Sequence, residues 1–176
     1  FRIWLNETPQ IAGIALIDER GAVKVSAHKE KYEHWLEYQA RPAGQQLFKQ
    51  LRETDNNDVF IGKNHTVGKT PLILMSRRYT KLGGEFGGIV VAAIDPQYFI
   101  NFYDSIASGN QKFMSIMLSD QTLLASSPYK SAINECLGRN FLGKQERVPN
   151  AVFHGKVSSS DSNKIMALKF LKNMPI

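Results

Sequence analysis

The sequence of 176 residues has one cysteine, Cys136, and no long hydrophobic run. A single cysteine excludes a disulfide within the chain and any metal site built from several cysteines. No stretch approaches the roughly 18–20 apolar residues of a membrane-spanning helix, and no signal-peptide pattern opens the chain. Because the sequence begins within an amphipathic segment and ends directly after a strand-like run, we expect it to be part of a longer protein.

Positive charge is in excess but is not concentrated in one region. The chain has 22 Lys and Arg against 16 Asp and Glu, which gives a formal net charge of +6 at pH 7. A basic patch is typical of nucleic-acid binding. Here the basic residues are scattered from Arg2 to Lys172 without a run of five, a pattern typical of a solvated surface. The sequence therefore predicts no nucleic-acid partner.

Motifs for catalysis and for cofactor binding are missing. Residues 62–70, GKNHTVGKT, look like a phosphate-binding loop, but five residues separate the glycines where that motif has four, and Pro71 follows instead of a helix. No G-x-S-x-G nucleophile motif occurs. None of the histidines has metal-ligand spacing. We expect no metal, no cofactor and no enzymatic activity in this chain.

The hydrophobic pattern predicts an α+β chain in which hairpins alternate with helical segments. Helices are predicted at residues 1–8, 29–38, 43–54 and 96–107, a short strand at 59–62, a polar loop at 64–69, and hairpins at 11–27, 76–95, 112–126 and 151–171. Because the order partly repeats, we expect two modules, 1–108 and 109–176. Each is predicted to be a roughly five-stranded antiparallel sheet with flanking helices.

Residues 76–102, SRRYTKLGGEFGGIVVAAIDPQYFINF, combine buried-looking strands with charge. A serine, two arginines and a tyrosine lie on the first strand, and Asp95 ends the second. Val, Ile, Tyr and Phe fit a pleated, half-buried surface, and the glycines fit a tight turn. Charged groups in such a sheet suggest a binding pocket more than a reaction centre.

The alternation of side chains along a strand decides which arginine faces that pocket. It predicts Arg77 and Tyr79 on one face and Arg78 on the other. With a turn centred on the glycines, Arg77 lies opposite Ile89 and on the face of Asp95. A turn that differs by one residue puts Arg78 there instead.

An arginine can bind a carboxylate in bidentate fashion, and an aspartate can hold an ammonium group. Aromatic side chains of the preceding helical segment would form the walls of the pocket. The candidate ligand-binding residues are Arg77, Arg78, Tyr79, Asp95, Trp35 and Tyr38. The same charged groups would also suit a structural ion pair, and aromatics at helical spacing would also suit a core.

The segment SRRYTKLGGEFGGIVVAAIDPQYF resembles the double Cache (PAS-like periplasmic) sensor domains of bacterial signalling proteins. In that family a serine-arginine-arginine strand leads through a glycine turn to a GxVVAxID strand and a helix with Tyr-Phe. Residues 116–128, IMLSDQTLLASSP, and 9–23, PQIAGIALIDERGAV, resemble two further family hairpins in the expected order.

The resemblance implies an extracytoplasmic, periplasmic sensor of an inner-membrane diguanylate cyclase, histidine kinase or chemoreceptor. A small carboxylate or amine would bind in the membrane-distal module, where Asp95 matches a ligand-contacting aspartate. Residues 40–48, ARPAGQQLF, lack the tryptophan-tyrosine pair of amino-acid-binding members, and only Arg41 and Phe48 match cyclase-type members. The alternative is a ligand-free structural or dimerisation module. The resemblance further implies a homodimer and a membrane link through segments outside this chain.

Overall fold

The computed structural model describes residues 2–62, 65–67, 70–106, 114–118, 122–127, 152–155 and 164–167. Its helices and strands alternate along the chain as expected for an α+β protein. The helices are α1 (Arg2–Glu7), α2 (Pro42–Glu53) and α3 (Pro96–Ile106), with 3₁₀ helices at Glu30–Tyr32 and Trp35–Ala40. The strands are β1 (Ile11–Asp18), β2 (Val23–His28), β3 (Phe60–Ile61), β4 (His65–Val67), β5 (Thr70–Thr80), β6 (Phe86–Ile94), β7 (Met114–Met117), β8 (Leu123–Ser127), β9 (Val152–Gly155) and β10 (Lys164–Ala167).

The main sheet has the strand order β2-β1-β6-β5-β3, and all its neighbours are antiparallel. Strand β4 pairs with the beginning of β5. The central strands β1 and β6 are almost continuously buried, which explains their small and β-branched residues. The predicted antiparallel sheet with helices is therefore confirmed for this part of the chain. The arrangement in two modules stays a prediction.

The hairpin between β1 and β2 closes as its sequence predicts. The carboxylate of Asp18 accepts hydrogen bonds from the backbone N–H of Arg20 at 3.0 Å and of Ala22 at 2.8 Å. Gly21 has a φ of 86°, the left-handed conformation that glycine adopts without strain. The local chemistry of the turn thus fixes the start of the sheet.

The segment between β2 and β3, residues 29–54, covers one face of the main sheet, and we call it the insert. Its buried side chains pack on those of the central strands to form the first hydrophobic core. This core includes Tyr32, Trp35, Leu47, Leu51, Ala15, Ile17, Leu72, Leu74, Ile89, Val91 and Ala93. The insert therefore makes one face of the sheet a closed interface.

The first half of the insert differs from the α-helix predicted at 29–38. It forms two short 3₁₀ helices, Glu30–Tyr32 and Trp35–Ala40, separated by a turn. Tyr32 and Trp35 are three residues apart and are both fully buried. Both side chains belong to the first hydrophobic core, so two large rings reach the same surface of the sheet. The α-helix begins only at Pro42, where the fixed φ of proline favours a first helical turn.

The opposite face of the sheet carries a second core with contributions from α1 and β8. Its buried members include Leu5, Ile11, Ile14, Ile73, Ile94 and Leu124. Helix α3 lies against β8, and the hydroxyl of Ser127 donates a hydrogen bond to the carboxylate of Asp104. The main sheet is thus connected through α3 to the hairpin β7–β8.

The segment between β3 and β5 differs from its prediction. The polar loop expected at 64–69 contains β4, which pairs with Leu72, Pro71 and Thr70 of β5, so the loop prediction is wrong there. Strand β5 follows this segment, whereas a phosphate-binding loop would be followed by a helix. Residues 128–150, between the hairpins predicted at 112–126 and 151–171, lie outside the described residues.

Candidate functional site

The pairing of β5 with β6 decides which arginine shares a face with Asp95. Arg78 lies opposite Ile89, and Arg77 lies opposite Val90. Ile89 and Asp95 are separated by an even number of residues, so they point to the same side of β6. Of the two registers that the sequence left open, the strands therefore adopt the one in which Arg78, and not Arg77, lies opposite Ile89 and on the face of Asp95.

The turn explains the shift in register. The backbone N–H of Lys81 donates to the carbonyl of Glu85 at 2.8 Å, and the N–H of Gly84 donates to the carbonyl of Lys81 at 2.9 Å. Gly84 has a φ of 84°, and the pairing becomes irregular between Tyr79 and Thr80. Either glycine of the pair can adopt such a conformation, so the sequence alone left the centre of the turn undetermined.

Arg77 and Tyr79 face away from the insert. Arg77 is exposed, and Tyr79 is partly buried. Both line an open groove of about 660 Å³ whose other walls are mostly aliphatic. These walls include Ile11, Val59, Met75, Val90, Ala92 and Ile94, and the groove is also bordered by Asn57, Ser76, Arg78 and Thr80. The groove lies on the side of the second core, not under the insert.

Arg78 is held under the end of the insert and is only 7% exposed. Its Nη1 donates hydrogen bonds to the carbonyl oxygen of Thr54 and, at 3.2 Å, to a carboxylate oxygen of Asp55. The guanidinium carbon lies 5.5 Å from the ring centre of Phe86, within the range of a cation–π interaction. Its Nε, which is also buried, has no hydrogen-bond partner among the described residues.

Ser76 lies two positions before Arg78 on the same strand and face. It is 1% exposed, and its hydroxyl has no partner in the part of the chain that the structure describes. Neighbouring residues on one face of a strand are about 7 Å apart at Cα. Ser76 and Arg78 therefore bring two buried, unsatisfied donor groups into one region.

The indole of Trp35 packs against Gly13 of β1. A Cβ atom on Gly13 would be 2.6 Å from the indole, so only glycine permits this contact. The side chain is 1% exposed, and the indole Nε1 lacks a partner within the described residues. Tyr38 lies further along the same 3₁₀ helix. Trp35 is thus part of the core and also presents a buried N–H donor under the insert.

Asp95 ends β6 and joins the insert to α3. Its carboxylate accepts hydrogen bonds from the Tyr32 hydroxyl, from Lys31 Nζ at 3.1 Å and from the backbone N–H of Gln97 at 2.9 Å. Burial by itself raises the pKa of Asp95. The three hydrogen bonds outweigh it, so the pKa lies below its usual value. The carboxylate is therefore ionised and well satisfied at neutral pH.

Sequence reasoning did not find Lys31 and Tyr32, the two side chains that bind Asp95. Their partner lies more than 60 residues further along the chain, and no spacing rule connects such distant positions. The charged and aromatic composition of residues 29–38 was the one feature of the sequence that pointed to this segment, but it predicted only a helix and no contact with Asp95.

The candidate residues that lie on the face under the insert form two separate groups. Ile89, opposite Arg78, is six residues from Asp95, which corresponds to about 20 Å along an extended strand. A small zwitterion cannot bridge that distance.

Within the described ranges no group of three or more His, Cys, Asp and Glu could hold a metal ion, and no helix is long and apolar enough to cross a membrane.

Comparison with solved structures identifies the fold. The extracellular domain of rpHK1S-Z16, a protein assigned as a histidine kinase, superposes with a TM-score of 0.79 at 21% identity, covering 99% of this chain and 71% of that one. The chain therefore has the same fold as this extracellular domain. No protein-family model and no curated protein sequence matches it.

Two ligand-binding domains of chemoreceptors have the same fold. The amino acid chemoreceptor PctC of Pseudomonas aeruginosa, in complex with GABA, has a TM-score of 0.59 at 11% identity, covering 96% of this chain and 71% of that one. The chemoreceptor CtaA of Pseudomonas fluorescens, in complex with L-serine, has a TM-score of 0.56 at 15% identity, with coverages of 92% and 66%. At these identities the likeness concerns the fold.

Proposed function

We propose that this chain is the extracytoplasmic ligand-sensing domain of a bacterial transmembrane signalling protein. In this proposal it consists of two Cache modules, 1–108 and 109–176, and is not itself an enzyme. A small molecule binds in the first module between the main sheet and the insert. An output domain such as a histidine kinase or a diguanylate cyclase would belong to other segments of the protein.

The observation that carries the proposal is the set of buried donors under the insert. Arg78 Nε, Ser76 Oγ and Trp35 Nε1 are buried without a partner among the described residues. A buried polar group without a hydrogen bond costs about 1–3 kcal/mol, and most native proteins satisfy nearly all of them. Three such groups on one face support a site at which a water or a ligand supplies the missing hydrogen-bond partners.

The groove on the other face suits a ligand less well. It is open, its walls are mostly aliphatic, and Arg77, whose side chain faces this side, is exposed to solvent. Small-molecule sites usually enclose most of the ligand and orient it with a few buried polar groups. Of the two arginines only Arg78, under the insert, is such a buried polar group, and Thr54 and Asp55 hold it in place.

A connected set of contacts offers a route from the insert to the second module. Lys31 and Tyr32 of the insert bind Asp95, whose carboxylate also accepts the N–H of Gln97 at the start of α3. The far end of α3 contacts β8 through Asp104. A ligand that favours one position of the insert over another would therefore shift α3.

A thermal-stability screen of the whole chain with small carboxylates and amines tests the proposal. We expect at least one compound to raise the melting temperature, and Arg78→Lys to reduce that effect. Arg77→Lys is the matched control, since it changes the neighbouring arginine on the other face. The proposal fails if no compound raises the melting temperature, or if Arg77→Lys abolishes the effect while Arg78→Lys preserves it.

The alternative is a ligand-free structural or dimerisation module. The close contact of Trp35 with Gly13 favours it, because the indole fills space under the insert. This alternative predicts no stabilisation by any compound together with a stable dimer in analytical ultracentrifugation. The sensor proposal predicts stabilisation whether the chain is monomeric or dimeric.

A further inference from the structure

The two groups under the insert differ in what they offer a ligand. At one end the Asp95 carboxylate already accepts three hydrogen bonds from within the chain. At the other end Arg78 Nε and Ser76 Oγ have no acceptor among the described residues. Arg78 Nε–H can only donate and the Ser76 hydroxyl can donate or accept, so the charged group left with unmet hydrogen-bonding capacity on this face is a donor.

Lys31 occupies the position that a ligand ammonium would take at Asp95. Its Nζ lies 3.1 Å from Oδ2 of Asp95 and 4.6 Å from the ring centre of Tyr32. Hydrogen bonding to Tyr32 and Asp95 raises the pKa of Lys31, so it remains protonated. A tethered group competes at an effective concentration that can reach the millimolar range. A free amine would have to displace it.

Ser76 and Arg78 together suit an oxyanion. The contact with the Phe86 ring and the hydrogen bonds of Nη1 to the Thr54 carbonyl and the Asp55 carboxylate hold the guanidinium in place. Nε–H is not used by these partners, and Ser76 lies two positions earlier on the same face of the strand. A planar guanidinium binds a carboxylate through two parallel N–H groups, and such charge-assisted hydrogen bonds are stronger than neutral ones.

We infer that the ligand is a small carboxylate without a free ammonium group, that its carboxylate binds Ser76 and Arg78, and that Lys31 excludes amines from Asp95. This inference rests on the proposed function, because it specifies the ligand class of the same site. It makes Lys31 a specificity-determining residue.

Calorimetric titration of the whole chain with straight-chain carboxylates, and with the amines of equal length, tests the ligand class. We expect millimolar or tighter binding of at least one carboxylate and none of its matched amine. Ser76→Ala should weaken carboxylate binding about tenfold, the usual loss for one hydrogen bond to a charged group. Arg77→Lys should leave it unchanged.

Lys31→Met tests the exclusion of amines. We expect this variant to bind an amine at least about tenfold more tightly than the wild type, and to retain its affinity for carboxylates. Lys29→Met is the matched control, because the Lys29 ammonium binds the carbonyls of Thr8 and Pro9 and not Asp95.

The possible results of these titrations distinguish the sensor proposal from the inferred ligand class. If the wild type binds an amine and Asp95→Asn abolishes that binding, the inference is wrong while the sensor proposal stands. If carboxylates bind equally well to wild type and Ser76→Ala, the assignment of the oxyanion site is wrong. If no carboxylate or amine binds at all, the sensor proposal fails together with the inference.

Discussion

The two faces of the main sheet are formed by the same strands, but the charged side chains discussed here are buried on one face and exposed on the other. Under the insert, Ser76, Arg78 and Asp95 are each at most 9% exposed. On the other face Arg77 is exposed at the side of an open groove with mostly aliphatic walls. Arg77 and Arg78 have the same chemistry and adjacent positions. Their environments differ because one face is covered by the insert.

This difference shows that burial, more than residue type, distinguishes a candidate site here. An exposed arginine retains its hydration and contributes little to stability. A buried arginine must exchange water for protein or ligand acceptors. Variants on the two faces should therefore behave differently in stability and in binding.

The largest expected effect comes from the aromatic core under the insert. Trp35→Ala should lower the free energy of unfolding by about 3–5 kcal/mol, because it removes a fully buried ring from the sheet. Phe102→Ala on the exposed side of α3 should cost less than about 1 kcal/mol. Urea denaturation monitored by circular dichroism measures both. A loss below 1 kcal/mol for Trp35→Ala would contradict the described core.

The pair Arg78→Ala and Arg77→Ala compares the two faces directly. Arg78→Ala removes the hydrogen bond to the Thr54 carbonyl and the contact with Phe86, and it should cost about 1–3 kcal/mol. Arg77→Ala should change stability by no more than about 0.5 kcal/mol. If both variants lost the same free energy of unfolding in urea denaturation, the two arginines would not differ in burial as described.

The next expected effect is a pH dependence from Asp95. The pKa of Asp95 is lowered in the folded state. Its contribution to the free energy of unfolding is therefore complete above the pKa of the unfolded state, about 4, and is lost as the pH falls through the pKa of the folded state. Asp95→Asn removes this contribution. The stability difference between wild type and Asp95→Asn should therefore be constant near neutral pH and shrink below about pH 4.

Urea denaturation of both proteins across this pH range measures that difference. Asp18 also has a lowered pKa, but it is present in both proteins and cancels in the comparison. A difference that grows as pH falls would show that Asp95 is not stabilised in its ionised form.

The smallest expected effect has the opposite sign. Ser76→Ala removes a buried hydroxyl without a partner among the described residues, so the unliganded chain should become more stable by up to about 1 kcal/mol. Ser26→Ala on the exposed edge strand β2 should have no effect. Destabilisation by more than 1 kcal/mol in Ser76→Ala would indicate that the hydroxyl is already bonded.

The sequence was sufficient for the features that depend on local chemistry. Alternation and turn residues predicted the hairpins, the position of Gly21 and the antiparallel sheet. The face of each arginine could not be predicted, because Gly83 and Gly84 both permit a left-handed turn and one residue reverses the faces. Lys31 could not be connected with Asp95, because their contact depends on how the insert folds over the sheet.

Amide hydrogen exchange of the whole chain, with and without the most strongly stabilising carboxylate, tests most directly whether the insert covers the ligand. We predict slower exchange in the insert, residues 29–54, and around Ser76 and Arg78, with little change in α1 and at residues 57–61. Protection confined to α1 and residues 57–61, which border the groove side, would contradict the assignment of the ligand to the face under the insert.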